Sequence, residues 1–212
     1  MSAKEREVWA IDIDDVCLDY GGGFSRFNNR VGWTRNMKPH HYVESWGELW
    51  GTDNVDEITR RTATMNRGMN PFLRPVRNSQ LALTALAKAR DLIILTSRPK
   101  DIHEITKSTI DRHFPDVFRD LRYLEGGWGD HGATQVTKGE TAIEIGASTL
   151  LDDQPRHVIG MAMAGGVGLL FGNSQLAETT TFEESSVVKV PSWRDVLNHA
   201  GIDPDSVFSQ GQ

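Results

Sequence analysis

The chain contains one cysteine, Cys17, so no disulfide can form within it and a reducing compartment suits it. Residues 1 to 6 include charged side chains and lead into no apolar signal segment, which makes the cytoplasm the expected location. Long hydrophobic runs are also missing. The longest weakly polar stretch, Val158 to Gly172, is shorter than the ~20 residues that cross a bilayer, so no membrane partner is expected.

Basic residues are scarce relative to acidic ones. The sequence has 23 Lys and Arg residues against 29 Asp and Glu residues, which gives a net charge of -6. A surface that binds long nucleic acids needs clustered positive charge, so a polynucleotide partner is not expected. The 212 residues, of which 38% are hydrophobic, fit one domain of ordinary size or a core domain with a modest insertion.

Short apolar runs alternate with helical segments along most of the chain. This alternation predicts an α/β fold with a doubly wound parallel sheet that is covered by helices on both faces. The predicted strands are Val8 to Ile13, Asp91 to Thr96, Leu121 to Leu124, Ser148 to Leu151, Val167 to Phe171 and Val187 to Val190. The predicted helices include Asn78 to Arg90, Asp101 to Phe114 and Ser192 to Ala200.

Residues 19 to 77 interrupt this rhythm with three consecutive glycines and many aromatic side chains. We interpret them as a small helical cap inserted after the first strand, with the catalytic core formed by residues 1–18 and 78–212. Trp33 and Trp50 are expected to pack inside the cap, whereas Tyr20 and Trp46 are equally suited to packing and to substrate contact.

Two carboxylates leave the first predicted strand together. Alternation along a strand points Asp12 and Asp14 to the same side, where they repel unless a proton or a metal ion neutralises them. Asp15 should point the other way, so we expect it to cap the following helix.

Three further groups lie at strand ends or helix starts, where open α/β sheets bind ligands. Thr96 and Ser97 follow the second strand, and the acid pair Asp152 and Asp153 follows the fourth. Lys138 lies in the first turn of a helix that Thr137 and Glu140 should start as a capping box, and Pro155 should begin another helix.

Each of these groups alone can be a turn, a cap or a solvated side chain. Together with Asp12 and Asp14 they supply a nucleophile, a proton donor, hydroxyl donors, a cation and metal-holding carboxylates, which is a complete set for phosphoryl transfer.

The order and spacing of these groups resemble the four motifs of the haloacid dehalogenase superfamily of phosphohydrolases, over roughly residues 7 to 172. Within it, Asp12-Ile-Asp-Asp-Val and Leu95-Thr-Ser-Arg-Pro99 are similar to the 5′(3′)-deoxyribonucleotidases. In that family aromatic side chains border the base, and Tyr20 and Trp46 occupy comparable places. Haloacid dehalogenases themselves lack the second Asp, so Asp14 disfavours dehalogenation.

The resemblance implies a covalent mechanism. Asp12 would attack phosphorus to form an aspartyl-phosphate, and Asp14 would protonate the leaving oxygen. Mg²⁺ would be held by Asp12, the backbone carbonyl of Asp14 and Asp153, with Asp152 orienting that set.

The remaining groups would handle the charge of the phosphoryl group. Thr96 and Ser97 would donate hydrogen bonds to its oxygens, and Lys138 would neutralise charge on it and on the nucleophile. Arg98 can reach a phosphate from this strand end, although a surface ion pair suits it equally.

The expected function is therefore Mg²⁺-dependent hydrolysis of small-molecule phosphomonoesters, above all (deoxy)nucleoside monophosphates. A sugar phosphate or another phosphometabolite is an alternative substrate, and an acceptor other than water is an alternative for the second step. A non-catalytic phosphate- or nucleotide-binding module is an alternative of another class. The sequence leaves open whether the protein forms a homodimer.

Overall fold

A six-stranded parallel sheet forms the centre of the fold. The computed structural model describes residues 6–33, 50, 52–124, 137–172 and 186–209. The strands are β1 (Val8–Ile11), β2 (Asp91–Thr96), β3 (Asp120–Tyr123), β4 (Thr149–Asp152), β5 (Val167–Phe171) and β6 (Val187–Val190). Their order across the sheet is β3-β2-β1-β4-β5-β6. This architecture confirms the predicted doubly wound α/β fold.

Helices connect the strands. They are α1 (Tyr20–Val31), α2 (Val55–Met69), α3 (Ser79–Ala89), α4 (His103–His113), α5 (Lys138–Glu144), α6 (Pro155–Met163), α7 (Trp193–His199) and α8 (Pro204–Phe208). Short 3₁₀ turns cover Asn70–Phe72 and Lys100–Ile102, and neither these turns nor α8 was predicted. Within the described residues, no helix has the length and apolarity needed to cross a membrane.

The first strand is central because it pairs with a neighbour on each side. Ala10 lies opposite Ile93 of β2 and Leu150 of β4, and all three side chains are buried. Strands covered on both faces are apolar at nearly every position, which is why the sequence shows them as continuous apolar runs. The centre of the sheet therefore provides a rigid base for the residues that follow β1, β2 and β4.

The first strand ends at Ile11, two residues earlier than predicted. The backbone N–H of Asp12 still donates to the carbonyl of Leu151 at 2.9 Å. The chain then turns, because the carbonyl of Ile13 accepts hydrogen bonds from the N–H groups of Cys17 and Leu18, both at 2.9 Å. Asp12 and Asp14 thus lie at the end of the strand rather than within it.

The segment between β1 and β2 contains α1 and α2, which pack against each other. Glycines in both helices allow this packing: a Cβ on Gly23 would come within 3.3 Å of Sδ of Met69 and within 2.4 Å of Leu73, which follows α2, and a Cβ on Gly68 would come within 2.8 Å of the Phe27 ring. Trp50 is 5% exposed, and its ring lies 6.1 Å from Phe24 and 6.2 Å from Trp33. Trp50 therefore packs within the hydrophobic core and the partly buried Trp33 packs against it. The division into cap and core stays a prediction.

Candidate active site

The carboxyl ends of the three adjacent strands β2, β1 and β4 bring the predicted site residues together. Asp12 directly follows β1, Thr96 is the last residue of β2, and Asp152 is the last residue of β4. All three are at least nine-tenths buried. Their closeness follows from the strand order, because neighbouring parallel strands end at the same edge of the sheet.

Lys138 lies between two of the acids. Its Nζ donates to Oδ1 of Asp12 and to Oδ2 of Asp152, both at 2.5 Å, and the residue is 3% exposed. The predicted capping box positions it at the start of α5: Thr137 Oγ1 accepts from the N–H of Glu140 at 3.1 Å, and the Glu140 carboxylate accepts from the N–H of Thr137 at 2.7 Å. The two carboxylates hold the pKa of Lys138 above its usual value despite burial.

Helices α5 and α6 touch backbone to backbone beside this lysine. A Cβ on Gly139 would come within 2.3 Å of the Gly160 carbonyl carbon and of the Met161 nitrogen. Helix α6 begins at Pro155, as predicted, three residues after Asp152. The close approach therefore holds Lys138 against the acid pair that precedes α6.

Asp152 is fully buried, and both of its carboxylate oxygens have hydrogen-bond partners. Its Oδ1 accepts from the N–H of Gln154 at 2.8 Å, and Nδ1 of His157 lies 3.1 Å from both of its oxygens. Burial works to raise the pKa of Asp152, but Lys138 and His157 outweigh it and hold the pKa well below the usual range. His157 was not predicted, since histidine spacing along the chain shows no ligand pattern. The available signal was its position in the first turn after Pro155, which faces the end of β4.

Three carboxylates can converge on one cation. Oxygens of Asp12, Asp152 and the partly buried Asp153 lie within 4.8 Å of one another. Burial raises the pKa of Asp12 to about 6, with Lys138 opposing and Asp152 adding to the rise. Burial also raises the pKa of Asp153 well above its usual value, and the charges of Asp152 and Asp12 add to the rise. Three acids against one ammonium leave excess negative charge, and an all-oxygen donor set suits a hard cation such as Mg²⁺.

Asp14 has a different partner from the other acids. Arg98 donates to it through two nitrogens, Nε to Oδ2 at 3.1 Å and Nη2 to Oδ1 at 2.6 Å. The third guanidinium nitrogen, Nη1, donates to Thr106 Oγ1 at 3.1 Å. Burial works to lower the pKa of Arg98, but Asp14 outweighs it, so the net pKa is raised. The ion pair expected as one option for Arg98 is present, but it is buried rather than at the surface.

Of the other residues predicted to contact the substrate, Thr96 and Ser97 lie at the site, whereas Tyr20 is buried against a neighbouring ring. Thr96 Oγ1 accepts from the N–H of Arg98 at 3.3 Å, and the next residue, Ser97, is partly buried at the same strand end. Tyr20 is 3% exposed and its ring stacks 6.3 Å from that of Phe24. Trp46 lies outside the described residues.

Asp15 contributes a capping hydrogen bond to the following helix, as expected, although the N-cap residue itself is Asp19. Its backbone has φ of 56°, in the left-handed region, and its Oδ1 accepts from the N–H of Gly21 in the first turn of α1 at 2.9 Å. Asp19 caps the same helix by accepting from the N–H of Gly22 at 2.9 Å. Burial raises the pKa of Asp15 to about 7. Asp15 thus faces the helix rather than the three-acid cluster.

The six-stranded parallel sheet with its flanking helices has the same fold as haloacid dehalogenase-like hydrolases of known structure. The sequence itself matches no protein-family model and no curated protein significantly.

Three solved structures illustrate the likeness. A haloacid dehalogenase-like hydrolase from Streptococcus pneumoniae superposes with a TM-score of 0.65 at 11% identity, over 92% of this chain and 98% of that one. The HAD-hydrolase YfnB from Bacillus subtilis, solved with magnesium, gives 0.63 at 13% identity over 94% and 100%. A protein from Clostridium difficile described as a phosphatase gives 0.61 at 17% identity over 92% and 100%.

Proposed function

We propose that this protein is a Mg²⁺-dependent phosphomonoesterase that hydrolyses small-molecule monophosphates, above all (deoxy)nucleoside monophosphates, through an aspartyl-phosphate. The observation that carries the proposal is the contact of Lys138 with both Asp12 and Asp152, beside Asp153. A buried ammonium between two buried carboxylates, with a third, partly buried carboxylate beside them, supplies the charges that a metal ion and a phosphate group need. The phosphatase and magnesium descriptions of two structural neighbours support it.

Asp12 is the nucleophile in this mechanism. One of its carboxylate oxygens bonds to phosphorus as the bond from phosphorus to the alcohol oxygen breaks, and Asp14 gives that oxygen a proton. Water then attacks the phosphorus of the aspartyl-phosphate and returns a proton to Asp14. Inorganic phosphate leaves and the Asp12 carboxylate is restored.

The other groups balance charge and bind the substrate. Lys138 keeps the Asp12 carboxylate oriented and offsets charge on the transferring group, while Thr96 and Ser97 donate to its oxygens. Asp12, Asp153 and the backbone carbonyl of Asp14 would hold Mg²⁺, with Asp152 in support, and the bound ion would supply positive charge that offsets the repulsion between the Asp12 carboxylate and the phosphate.

The proposed preference for nucleotides rests on the resemblance to deoxyribonucleotidases and on Tyr20 and Trp46 as aromatic contacts to the base. The burial of Tyr20 against Phe24 favours a second candidate, a phosphatase of sugar phosphates, because a ring that is already stacked offers little surface to a base. A stacked base would add roughly 1–3 kcal/mol of binding free energy, so the two candidates should differ clearly in KM.

The test is phosphate release from matched nucleoside, deoxynucleoside and sugar monophosphates, with Mg²⁺ and with EDTA. Metal-dependent release that is fastest with nucleotides supports the proposal, and release from sugar phosphates alone supports the second candidate. If nothing is hydrolysed while nucleotides still bind, the protein is a non-catalytic binding module and the proposal is wrong.

The covalent step has its own test. Asp12→Asn removes the nucleophile with little change in volume, so turnover should fall by about 10⁴-fold or more while the protein still folds. Asp120→Asn is a matched control, because Asp120 pairs with Arg122 on the surface. Normal activity in the Asp12 variant would contradict an aspartyl-phosphate.

A further inference from the structure

We infer that Arg98, anchored by Thr106, is a positioning residue that orients the carboxyl group of Asp14 for proton exchange with the leaving oxygen and with water. The inference rests on the proposed function, because it assigns a purpose to a contact of the proposed proton donor. It also gives Arg98 a role different from the phosphate contact that the sequence suggested.

The guanidinium group is committed to protein partners. Nε and Nη2 form a two-point contact with the two oxygens of Asp14, at 3.1 and 2.6 Å, and Nη1 reaches Thr106 at 3.1 Å. Arg98 is 4% exposed and Thr106 is fully buried. A two-point contact between planar groups fixes the rotation of the carboxylate as well as its distance, which a single hydrogen bond cannot do.

The backbone of Arg98 is fixed from both sides. Its N–H donates to Oγ1 of Thr96 at the end of β2, and its carbonyl lies 3.2 Å from Nε2 of His103 at the start of α4. The same helix carries Thr106, so one element holds both the backbone and the side chain of Arg98. Contacts with β2 and α4 therefore hold Arg98 in a fixed position against Asp14.

Asp14 needs this contact to hold its side chain in place, because Asp14 lies beyond the end of β1. The Asp14 side chain is 16% exposed. It is the most exposed side chain in the three ion pairs Lys138–Asp12, Lys138–Asp152 and Arg98–Asp14. A proton donor works only within about 2.6–3.2 Å of the atom that it protonates. Each carboxylate oxygen has two lone pairs, so the contact with Arg98 leaves one on each oxygen to carry the proton.

Leaving-group chemistry separates positioning from phosphate binding. An alkyl phosphate expels a strongly basic alkoxide and depends on the proton from Asp14, whereas p-nitrophenyl phosphate expels a stable phenolate and does not. If Arg98 orients Asp14, its loss should slow alkyl substrates selectively. If Arg98 binds the phosphoryl group, its loss should slow both substrates equally and weaken inhibition by inorganic phosphate.

The experiment compares kcat/KM for a simple alkyl phosphate and p-nitrophenyl phosphate in three variants. General acid catalysis contributes about 10²–10⁴-fold, so we expect Thr106→Val to slow the alkyl substrate about tenfold and Arg98→Lys about 100-fold. The aryl substrate should change by less than about threefold in both. Thr109→Val is the matched control: Thr109 is a buried threonine of the same helix whose hydroxyl contacts Ile105 and Asn70 instead.

The outcomes are distinct. Selective loss of the alkyl activity in Thr106→Val and Arg98→Lys, with Thr109→Val like the wild type, supports the inference. Equal loss on both substrates, or no loss in Thr106→Val, overturns it and leaves the proposed function intact. Failure of the wild type to hydrolyse these two substrates and every nucleoside, deoxynucleoside and sugar monophosphate of the panel with Mg²⁺ overturns the proposed function and the inference with it. Thermal unfolding checks that each variant is folded, and Thr106→Val keeps the buried Asp14–Arg98 charges paired if Arg98→Lys is unstable.

Discussion

Lys138 Nζ and Asp12 Oδ1 lie 2.5 Å apart although 126 residues separate them in the chain. The same nitrogen contacts Asp152, so one buried ammonium compensates two buried carboxylates. Removing one member of such a group leaves an uncompensated charge in the interior, which costs far more than the intact contact contributes.

We predict that Lys138→Met lowers the free energy of unfolding by about 3–5 kcal/mol at neutral pH without divalent cations. Added Mg²⁺ should recover part of this loss, since a cation among Asp12, Asp152 and Asp153 replaces the missing charge. Urea unfolding with Mg²⁺ and with EDTA measures both effects.

Lys107→Met is the control for this prediction. Lys107 forms an exposed ion pair with Asp111 one helical turn away, with both side chains more than half exposed. Its loss should change stability by about 0.5 kcal/mol or less. Equal effects of the two substitutions would contradict the buried charge arrangement.

The contact between α5 and α6 gives a second prediction. In Gly139→Ala the new methyl group would meet the backbone of Gly160 and Met161 at 2.3 Å, so α5 must move away and take Lys138 with it. We expect a loss of about 1–3 kcal/mol of stability and a lower kcat.

Gly160→Ala is the matched control for this contact. A Cβ there lies 3.6 Å from Oγ1 of Thr137, an ordinary van der Waals distance. Stability and kcat should stay near the wild-type values. A Gly139→Ala protein that unfolds and turns over like the wild type would rule out the close helix packing.

The capping box at Thr137 gives a third prediction. Thr137→Ala removes the acceptor for the N–H of Glu140 and should cost about 1 kcal/mol of stability. Glu140→Gln keeps both hydrogen bonds of the box and should cost less. Thermal unfolding of the two variants compares them directly, and the reverse order of stabilities would argue against the cap.

Acid should weaken the packing of α4 through His113. Burial and then the neighbouring Arg112 lower the pKa of His113. A histidine whose pKa is lower in the folded state binds its proton more readily when unfolded, so stability falls as the pH drops below the unfolded value of about 6.5.

Replacing this histidine tests the effect. Nε2 of His113 lies 3.1 Å from the carbonyl of Leu73, a contact that the amide of His113→Gln can imitate. The decrease in Tm between about pH 7.5 and pH 5.5 should be smaller in the variant than in the wild type. An identical decrease in both proteins would assign the acid sensitivity to other groups.

The sheet was largely readable from the sequence because its central strands are buried on both faces. The bounds of β2, β5 and β6 were predicted as observed, while β1 ends earlier because the backbone turns at Ile13. Local signals also worked at Thr137 and Pro155, since capping depends only on residues a few positions apart. The glycine-rich start of α1 was harder to predict, because its packing against Leu73 is a tertiary effect.

The sequence was enough to predict most of the residues that lie at the candidate site, but not which of them contact each other. The acids and Lys138 could be expected at one edge of the sheet because strand ends converge there. The partner of Asp14 could not, because Arg98 is 84 residues away and its direction depends on how α4 packs. His157 is only five residues from Asp152, and it was missed although its position in the first turn after Pro155 was a local signal.

The central position of β1 also dictates when the protein can fold during synthesis. Ala10 emerges early, but its sheet neighbours are Ile93 and Leu150, and the ammonium that compensates Asp12 belongs to residue 138 of 212. A nascent chain must therefore leave one edge of its first strand unpaired until β4 has been synthesised. Chains that stop before the fourth strand retain Asp12 without Asp152, and such incomplete chains should be inactive and readily degraded.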